Sequence, residues 1–354
     1  MAKAGGRAND SGHYTVFAMG AIRMTAREFL DFAEEHIACS SGLLLVDHDL
    51  EKLSKRAEID LFLGLLRIDG SAVIRIRAEE IEQAVISVRA AVGNLPNNKI
   101  GLFEVLDRVH PLAVELKADV PRILRTMSRL AQERPDKMIG EDVVNVCAQE
   151  TGYSLSVVLK VALAYGELLN RSVFNMSEVK HPDWDGSVPL KSLFEGEHIP
   201  DDAETYLDQR FIDYLAAQGE DVNQMHWRNF ERLTAEFFAR KGYHVQLGPG
   251  QKDGGVDVRV WTDKKAGSGP PLVLVQCKRK KDSAVQIEWV KALWADVTIE
   301  NAKGGLLATT TSVSPAGKRL AMARGWPLSF ADGQQVRQWA RTMWRHSFST
   351  PESS

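Results

Sequence analysis

The segment that most restricts the fold of this chain is residues 272–279, LVLVQCKR. Successive side chains of a β-strand point to opposite faces, so Leu274, Gln276 and Lys278 share one face. The opposite face begins with valines. A strand with apolar side chains on both faces is typical of the middle of a sheet that is covered on both sides. The sequence therefore predicts a central strand that ends in an amide and an ammonium group.

Polar groups from two segments are expected to meet where this strand leaves the core. A lysine at the end of a buried strand is costly unless an anion lies nearby. Asp257, in residues 253–258 (DGGVDV), follows two glycines that permit a tight turn. If the two segments pair as a hairpin, Asp257 lies beside Gln276 and Lys278, and its carboxylate, the amide oxygen and water form a site suited to Mg²⁺. Singly, each residue fits the solvated end of a hairpin, whereas the set favours catalysis.

A further carboxylate, Glu231, lies in the first turns of the helix predicted for residues 227–241. Phe230 and Leu233 give that helix an apolar face toward the sheet, so Glu231 is a candidate metal ligand. The alternative is that Glu231 only complements the positive end of the helix dipole. We expect Glu236, on the same helix, to face solvent.

A change of pattern divides the chain into two main parts. The first part has mainly helical patterns and two short strand patterns, at 41–47 and 71–77, and Thr25 with Glu28 forms a capping-box pattern. The second part alternates helices and strands, which predicts an α/β fold with a mixed sheet flanked by helices. The predicted units are a disordered leader at 1–12, an α-rich α+β domain at 13–176, a linker at 177–202, an α/β domain at 203–346 and a tail at 347–354.

Charge is distributed unevenly along the 354 residues, whose net charge is −3. Residues 225–354 hold 20 Lys and Arg against 11 Asp and Glu, a net charge of +9, which leaves −12 for the rest. A basic module joined to an acidic one is typical of a phosphate-binding domain with an auxiliary domain. Chance clustering of charge is an equally good account on this observation alone.

Six motifs stand in a fixed order between residues 227 and 339. They are Phe230-Glu231, Gly242-Tyr243, Gly254-Gly255-Val256-Asp257, Gln276-Cys277-Lys278-Arg279, the stretch 304–314 (GGLLATTTSVS) and the stretch 330–333 (FADG). Together they resemble the Mrr-like branch of the PD-(D/E)xK nuclease superfamily, the type IV restriction endonucleases, although any one motif alone is weak. The wider superfamily has Asp or Glu where this chain has Gln276, and the Mrr-like branch tolerates Gln at this position. The resemblance covers none of the first domain.

The resemblance implies a restriction-endonuclease-like sheet and metal-assisted hydrolysis of phosphodiester bonds in double-stranded DNA. Asp257 would be the main metal ligand, Gln276 would bind through its side-chain carbonyl, and Glu231 would complete or orient the metal shell. Lys278 would position or activate the attacking water and stabilise charge on the phosphate. The implied cofactor is Mg²⁺, with Mn²⁺ as an alternative, and the implied setting is prokaryotic defence against modified or foreign DNA.

Residues next to the predicted site are candidate DNA contacts. Arg279, Lys280 and Lys281 either hold the DNA backbone or form a charged strand exit, and the sequence does not decide between the two. Thr310 and Ser314 belong to a stretch that we interpret first as a helix cap and second as a phosphate contact.

Aromatic and cysteine side chains receive simpler interpretations. Cys277 is expected in the core, opposite the active face. Four tryptophans at helical spacings are expected to be core residues and not base-stacking platforms, namely Trp289, Trp294, Trp339 and Trp344. The three cysteines, Cys39, Cys147 and Cys277, are scattered and form no CxxC, which argues against a zinc site or a disulfide framework and fits a reducing cytoplasm.

In the first domain, residues 147–161 (CAQETGYSLSVVLKV) resemble a helix-turn-helix. Its second helix has Lys160 as its only cation before Arg171, whereas a recognition helix normally carries polar and basic groups, so a plain helical hairpin is favoured over DNA reading. No apolar run reaches the length of about 20 residues needed to span a bilayer, so no membrane association is expected.

Three alternatives and two partners accompany the nuclease prediction. The chain is alternatively a repair or recombination nuclease, a DNA-binding module with a weak or inactive centre, or a sensor whose first domain switches the nuclease. Cutting both strands with one active site per chain favours a homodimer on mechanistic grounds. A regulatory partner of the first domain is the second expectation.

Overall fold

The computed structural model describes residues 21–94, 111–134, 139–170, 186–250, 255–262 and 269–344. The predicted leader at 1–12 and tail at 347–354 lie outside these residues.

Helices follow one another through most of the described chain. In chain order they are α1 (Ala26–Ser41), α2 (Asp47–Arg56), α3 (Asp60–Leu65), α4 (Ala78–Ala91), α5 (Pro111–Leu116), α6 (Val120–Gln132), α7 (Glu141–Thr151), α8 (Leu155–Asn170), α9 (Ser192–Glu195), α10 (Gln209–Ala217), α11 (Trp227–Arg240), α12 (Ile287–Ile299), α13 (Pro315–Ala323) and α14 (Gly333–Met343), with a 3-10 turn at Gly219–Asn223. Local signals fix several of their ends. The capping box of Thr25 with Glu28 is confirmed at the start of α1, and Asp332 with Gln335 forms another at the start of α14.

The strands form one large sheet and two small pairs. They are β1 (Ala21–Thr25), β2 (Leu43–Leu44), β3 (Val73–Arg77), β4 (Val188–Pro189), β5 (His244–Leu247), β6 (Val258–Trp261), β7 (Val273–Lys278), β8 (Gly304–Thr309) and β9 (Leu328–Ala331). β1 pairs antiparallel with β3, and β2 pairs parallel with β4.

The large sheet has the order β5-β6-β7-β8-β9, so β7 is the central strand, as the sequence predicted. β5, β6 and β7 pair antiparallel, whereas β7, β8 and β9 pair parallel through the crossover helices α12 and α13. Helices cover both faces. Val275 and Cys277 of β7 pack in the core that contains α11, and Leu274 packs in a second core with residues of α12. The predicted fold class is confirmed: a mixed sheet flanked by helices follows an α-rich part that contains short strands.

The first part of the chain contains elements that the sequence did not predict. The strand pattern at 41–47 yields only β2, because the chain turns into α2 at Asp47. The helices α2 and α3 were not predicted. Both bury side chains in the large core, among them Leu50, Leu53 and Phe62, so packing against distant residues stabilises them more than local pattern does.

One hydrophobic core joins residues 26–92 to the large sheet. It contains Phe29 of α1 and Val85 of α4 together with Phe211 of α10, Phe230 of α11 and Val336 of α14. Hydrogen bonds cross the same boundary. The Trp344 indole N–H donates to the Gly93 carbonyl at 2.9 Å, and the Gln218 amide donates to the Ala91 carbonyl at 2.9 Å.

A buried carboxylate strengthens this junction. Asp221 is fully buried and accepts hydrogen bonds from Lys52 at 2.9 Å, from Arg56 at 2.8 and 3.0 Å, and from the Tyr214 hydroxyl at 2.6 Å. Burial raises the pKa of Asp221, but the donors, Arg56 first, outweigh burial and hold the pKa below its usual value. The two basic residues lie on α2, so the network ties the first part of the chain to residue 221.

Residues 111–170 have a core of their own. α6, α7 and α8 pack around ten buried side chains, which include Ile123, Met127, Cys147 and Val161. Gly152 adopts φ 76° at the C-terminus of α7, which turns the chain into α8. The helix-turn-helix-like stretch is therefore two helices of a small helical unit.

Part of the predicted linker is packed. Leu190 and Leu193 are fully buried, and the Asn229 amide donates to the carbonyls of Ser192, Leu193 and Gly196 at 2.8–3.1 Å. The predicted domain boundaries stay predictions. Within the described residues no helix is long and apolar enough to cross a membrane.

Candidate active site

The candidate site lies where β6 begins and β7 ends. The backbone N–H of Asp257 donates to the Val275 carbonyl at 3.0 Å, which extends the β6–β7 ladder by one residue. The Asp257 carboxylate reaches across and accepts the backbone N–H of Cys277 at 2.6 Å. The antiparallel hairpin assumed from the sequence is present, and it places Asp257 beside the last residues of the central strand.

Gln276 is 1% exposed and faces the same end of the sheet. Its Nε2 atom donates to the Gly255 carbonyl at 2.8 Å, which fixes the orientation of the amide, since the reversed amide would bring two oxygens together. Its Oε1 atom is buried and has no hydrogen-bond partner among the described residues. A buried carbonyl oxygen without a partner is costly and calls for a donor or a cation.

Gly255 is required for this arrangement. It has φ +97°, a conformation that side chains rarely adopt. A Cβ atom there would lie 3.1 Å from Gln276 Nε2 and 3.7 Å from Asp296 Oδ2. The glycine in the motif before Asp257 therefore permits the backbone carbonyl to hold the Gln276 amide.

Glu231 approaches the site from α11. It is buried, and Arg228 one turn earlier donates to its Oε2 at 2.6 Å. The same guanidinium donates to the Gly248 carbonyl at 2.7 Å and to Glu197 at 3.1 Å. Arg228 was not singled out in the sequence, although its spacing of three residues from Glu231 is a known signal for an ion pair on a helix.

Two buried carboxyl groups lie together at this point. Burial and then the negative charge of Asp257 raise the pKa of Glu231 to about 8, although Arg228 acts in the opposite direction. Glu231 therefore carries a proton near neutral pH when no cation is bound. Among the described residues no group of three or more His, Cys, Asp or Glu is placed to hold a metal ion, so the amide of Gln276 would be needed as the third donor.

Lys278 lies at the end of β7, two residues beyond Gln276 on the same face. Its Nζ atom lies 4.2 Å from the ring centroid of Trp289, the third residue of α12. In the described parts of the chain its ammonium group forms no salt bridge. Trp289 is 39% exposed, so the expectation that it is a core residue is wrong. The periodicity of α12 puts Val290 and Leu293 in the core, and Trp289 falls on the flank that faces the strand end.

The other expectations for single side chains have mixed outcomes. Trp339 stacks on Phe237 with ring centroids 4.6 Å apart, and Trp294 stacks on Trp326 at 5.4 Å. Cys277 is buried in the core, as expected. Glu236, which we expected to face solvent, is buried: its carboxylate accepts the Tyr206 N–H and the Arg240 guanidinium, both at 2.7 Å. These two donors satisfy the carboxylate, which its position in the sequence could not reveal.

The basic loop, which we define as residues 279–284, leaves the site directly after Lys278. Arg279 and Lys280 are partly exposed and Lys281 is exposed. Thr310 is buried, and its hydroxyl donates to the Lys280 carbonyl at 2.6 Å and accepts the Lys280 N–H at 2.9 Å. The hydroxyl of Thr310 therefore serves to fix the basic loop.

Further contacts tie the basic loop to the segment after β8. Thr309 donates to the Lys278 carbonyl and Thr311 to the Ser283 carbonyl, both at 2.8 Å. Ser314 caps α13 by accepting the Gly317 N–H at 3.2 Å, so its interpretation as a helix cap is confirmed.

Comparison with known proteins identifies the family that the region around this site resembles. Residues 222–340 match the family model of the restriction endonucleases, that of the Mrr catalytic domain. This part of the chain is a restriction endonuclease domain. The resemblance found in the motifs is thereby confirmed, at the C-terminal position expected for it.

Two relatives show how far the similarity extends. The chain is 28% identical over 129 residues to the uncharacterized protein y4cE of Sinorhizobium fredii (strain NBRC 101917 / NGR234), over 36% of this chain and 33% of that protein. It is also similar to the solved structure of MspJI restriction endonuclease in complex with a 27-mer oligonucleotide, with a TM-score of 0.29 and 19% identity, over 51% of this chain and 42% of that chain. The chain thus spans less than half the length of each relative.

Proposed function

We propose that this chain is a metal-dependent endonuclease that hydrolyses phosphodiester bonds in double-stranded DNA. The observation that supports this most is the meeting of Glu231, Asp257 and Gln276 at the end of the central strand, with Gln276 Oε1 buried and unpartnered among the described residues. The restriction endonuclease domain at 222–340 supports the same conclusion.

The donor set fits Mg²⁺, or Mn²⁺ in its place. Two carboxylates and an amide oxygen are hard donors of the kind that these cations bind. Two adjacent buried carboxylates are costly when both are ionised, and a divalent cation would replace the proton that Glu231 otherwise carries. When bound, such a cation polarises phosphoryl oxygens and lowers the pKa of coordinated water.

The residues of the site would have distinct roles. Asp257, fixed by the Cys277 N–H, would be the main metal ligand, and Glu231, fixed by Arg228, would complete the shell. Gln276 would present Oε1 because its Nε2 is held by Gly255. Lys278 would orient the attacking water and stabilise the charge that develops on the phosphate.

DNA would approach along the basic loop. Lys281 is exposed, and Arg279 and Lys280 are partly exposed directly after Lys278, so the loop can contact phosphates on either side of the scissile bond. Ser314, at the start of α13, is a second candidate phosphate contact, because helix N-termini favour anions. Thr310 would act indirectly, by fixing the loop.

The biological setting we propose is defence of a prokaryotic cell against modified or foreign DNA. The similarity to restriction endonucleases supports this setting. A reducing cytoplasm is the proposed location, because the three cysteines are scattered along the sequence and form no CxxC motif.

The test is cleavage of supercoiled plasmid, modified and unmodified, with Mg²⁺, with Mn²⁺ and with EDTA. We expect nicking or linearisation by the wild type that requires the metal and is lost in Lys278→Ala. Lys303→Ala is the matched control, since Lys303 is exposed before β8, at the opposite end of the sheet. We expect this variant to cleave like the wild type.

Two results would contradict the proposal. Equal cleavage by the wild type and Lys278→Ala would exclude this centre as the source of activity. No cleavage of any plasmid by the wild type, with DNA binding equal to that of the variant, would favour a DNA-binding module without activity.

A further inference from the structure

Helix α8 presents an apolar stripe to solvent. Leu155, Leu159 and Leu163 are 49%, 45% and 65% exposed, and they follow one another at four-residue spacing, so they lie on one side of the helix. The opposite side of α8 carries Val158, Val161 and Tyr165, which are buried in the core of the helical unit. The leucine stripe, defined as Leu155, Leu159 and Leu163, is therefore not needed to hold α8 in its own unit.

The chemistry of this stripe fits a protein partner and not DNA. α8 is the helix that would lie in the DNA groove if the unit were a helix-turn-helix, and such helices present polar and basic side chains. Here the exposed side is led by leucines, with Lys160 as its cation. Exposed apolar stripes of this kind are typical of protein contact surfaces.

The charges beside the stripe are arranged symmetrically. Lys160 and Glu167 are both exposed, and within the described residues neither forms an ion pair. At about 3.6 residues per turn both lie on the same flank of the stripe, within a quarter turn of Leu163. Lys160 lies three residues before Leu163, and Glu167 lies four residues after it. Along the helix, the midpoint between the cation and the anion therefore lies next to Leu163.

We propose that the leucine stripe is a homodimer interface in which α8 packs antiparallel against α8 of a second copy. A two-fold axis beside Leu163 would bring Lys160 of each copy opposite Glu167 of the other and would pack the two Leu163 side chains together. Gly166 has open space where a Cβ would be, so Leu159 of the other copy can pack closely there.

A second copy is a better occupant than an unrelated partner because of this symmetry. In an isologous interface, a contact between residue i of one copy and residue j of the other is matched by a contact between residue j of the first and residue i of the second. A cation and an anion at equal distances from the two-fold axis meet this requirement. An unrelated partner requires no such spacing. One helix pair covers less than the roughly 1,200–2,000 Å² of stable interfaces, so we expect a reversible dimer with a dissociation constant on the order of micromolar.

The experiment is sedimentation velocity of the full chain from about 1 to about 100 µM. The wild type is expected to pass from monomer to dimer, and Leu163→Glu to weaken dimerisation by about tenfold or more. Lys160→Glu and Glu167→Lys each place like charges together twice per dimer and should each weaken it roughly tenfold. The double variant K160E/E167K restores both pairs and should return to within about threefold of the wild type.

Controls separate the interface from folding. Val114→Glu changes an apolar residue of α5 that is 76% exposed, and it should leave dimerisation unchanged. Circular dichroism of each variant checks that the helices are retained. A wild type that stays monomeric throughout overturns the proposal, and if Leu163→Glu then also lowers the melting temperature, a segment of the same chain covers the stripe. A dimer in which the double variant is as weak as the single variants also overturns it.

Discussion

Replacing Glu231 with glutamine is expected to change how the stability of the metal-free protein depends on pH. Burial and the charge of Asp257 raise the pKa of Glu231 from 4.5 to about 8. Between these values the folded protein binds more protons at this group than the unfolded chain does. The stabilisation is therefore full below pH 4.5 and is lost as the pH rises through 8.

The magnitude follows from the size of the pKa change. Each pH unit between the two pKa values removes up to about 1.4 kcal/mol from the free energy of unfolding, so the loss is at most about 5 kcal/mol. Glutamine has the shape of a protonated Glu231 and does not ionise, and its amide oxygen can still accept from Arg228. We expect Glu231→Gln to match the wild type near pH 5 and to exceed it by roughly 2–4 kcal/mol at pH 8.5.

The assay is urea unfolding in EDTA at several pH values from 5 to 8.5, with the free energy extrapolated to zero urea. Groups outside the site titrate equally in both proteins, so the difference between the two curves reports Glu231 together with Asp257, to which it is coupled. Parallel curves for the variant and the wild type would refute the reasoning, because they would mean that Glu231 is already ionised in the folded protein. Added Mg²⁺ should stabilise the wild type above pH 7 more than it stabilises the variant.

Three further perturbations test other parts of the structure. Asp221→Ala should lower the free energy of unfolding by about 2–3 kcal/mol at neutral pH, because it leaves two partly buried cations, Lys52 and Arg56, without their partner. The difference from the wild type should shrink as the pH falls through the lowered pKa of Asp221. A change below about 0.5 kcal/mol in urea unfolding would contradict this expectation. Gly255→Ala should reduce plasmid cleavage by about tenfold or more, because its Cβ would displace the Gln276 amide, and it should lower stability by about 1–2 kcal/mol. Unchanged cleavage would contradict the requirement for glycine at this position. Trp289→Leu should slow cleavage about fivefold, because it removes a cation–π contact with Lys278 that is worth about 0.5–2 kcal/mol. Trp289→Phe keeps an aromatic ring and should retain most of the activity. Equal cleavage rates for the two variants would exclude a contribution of the cation–π contact.

The sheet was predictable because its signals are local. Apolar side chains on both faces of residues 272–278 indicated a central strand, and the strand is central. The polar residues at its end also came together with Asp257, since strands that form a hairpin bring residues at matching positions together. The roles of Glu231, Gln276 and Lys278 stay predictions that the proposed experiments address.

Features that depend on distant contacts were not predictable. The sequence gives no local reason for α2 and α3 to be helices, and both are stabilised by a core that includes residues more than 100 positions away. Glu236 looked like a solvated acid because its partner Tyr206 lies 30 positions earlier. Trp289 looked like a core residue because periodicity assigns a face of the helix and does not show which strand end lies beside that face.

The shared core also limits how this protein can be recombined. A gene fusion that joined residues 225–344 to another protein would leave Phe230 and Val336 without Phe29 and Val85, which pack in the same core. Exchange of the nuclease among proteins would then carry residues 21–94 with it. The helical unit around α6, α7 and α8, which has its own core, is by contrast not bound to the sheet by that shared core.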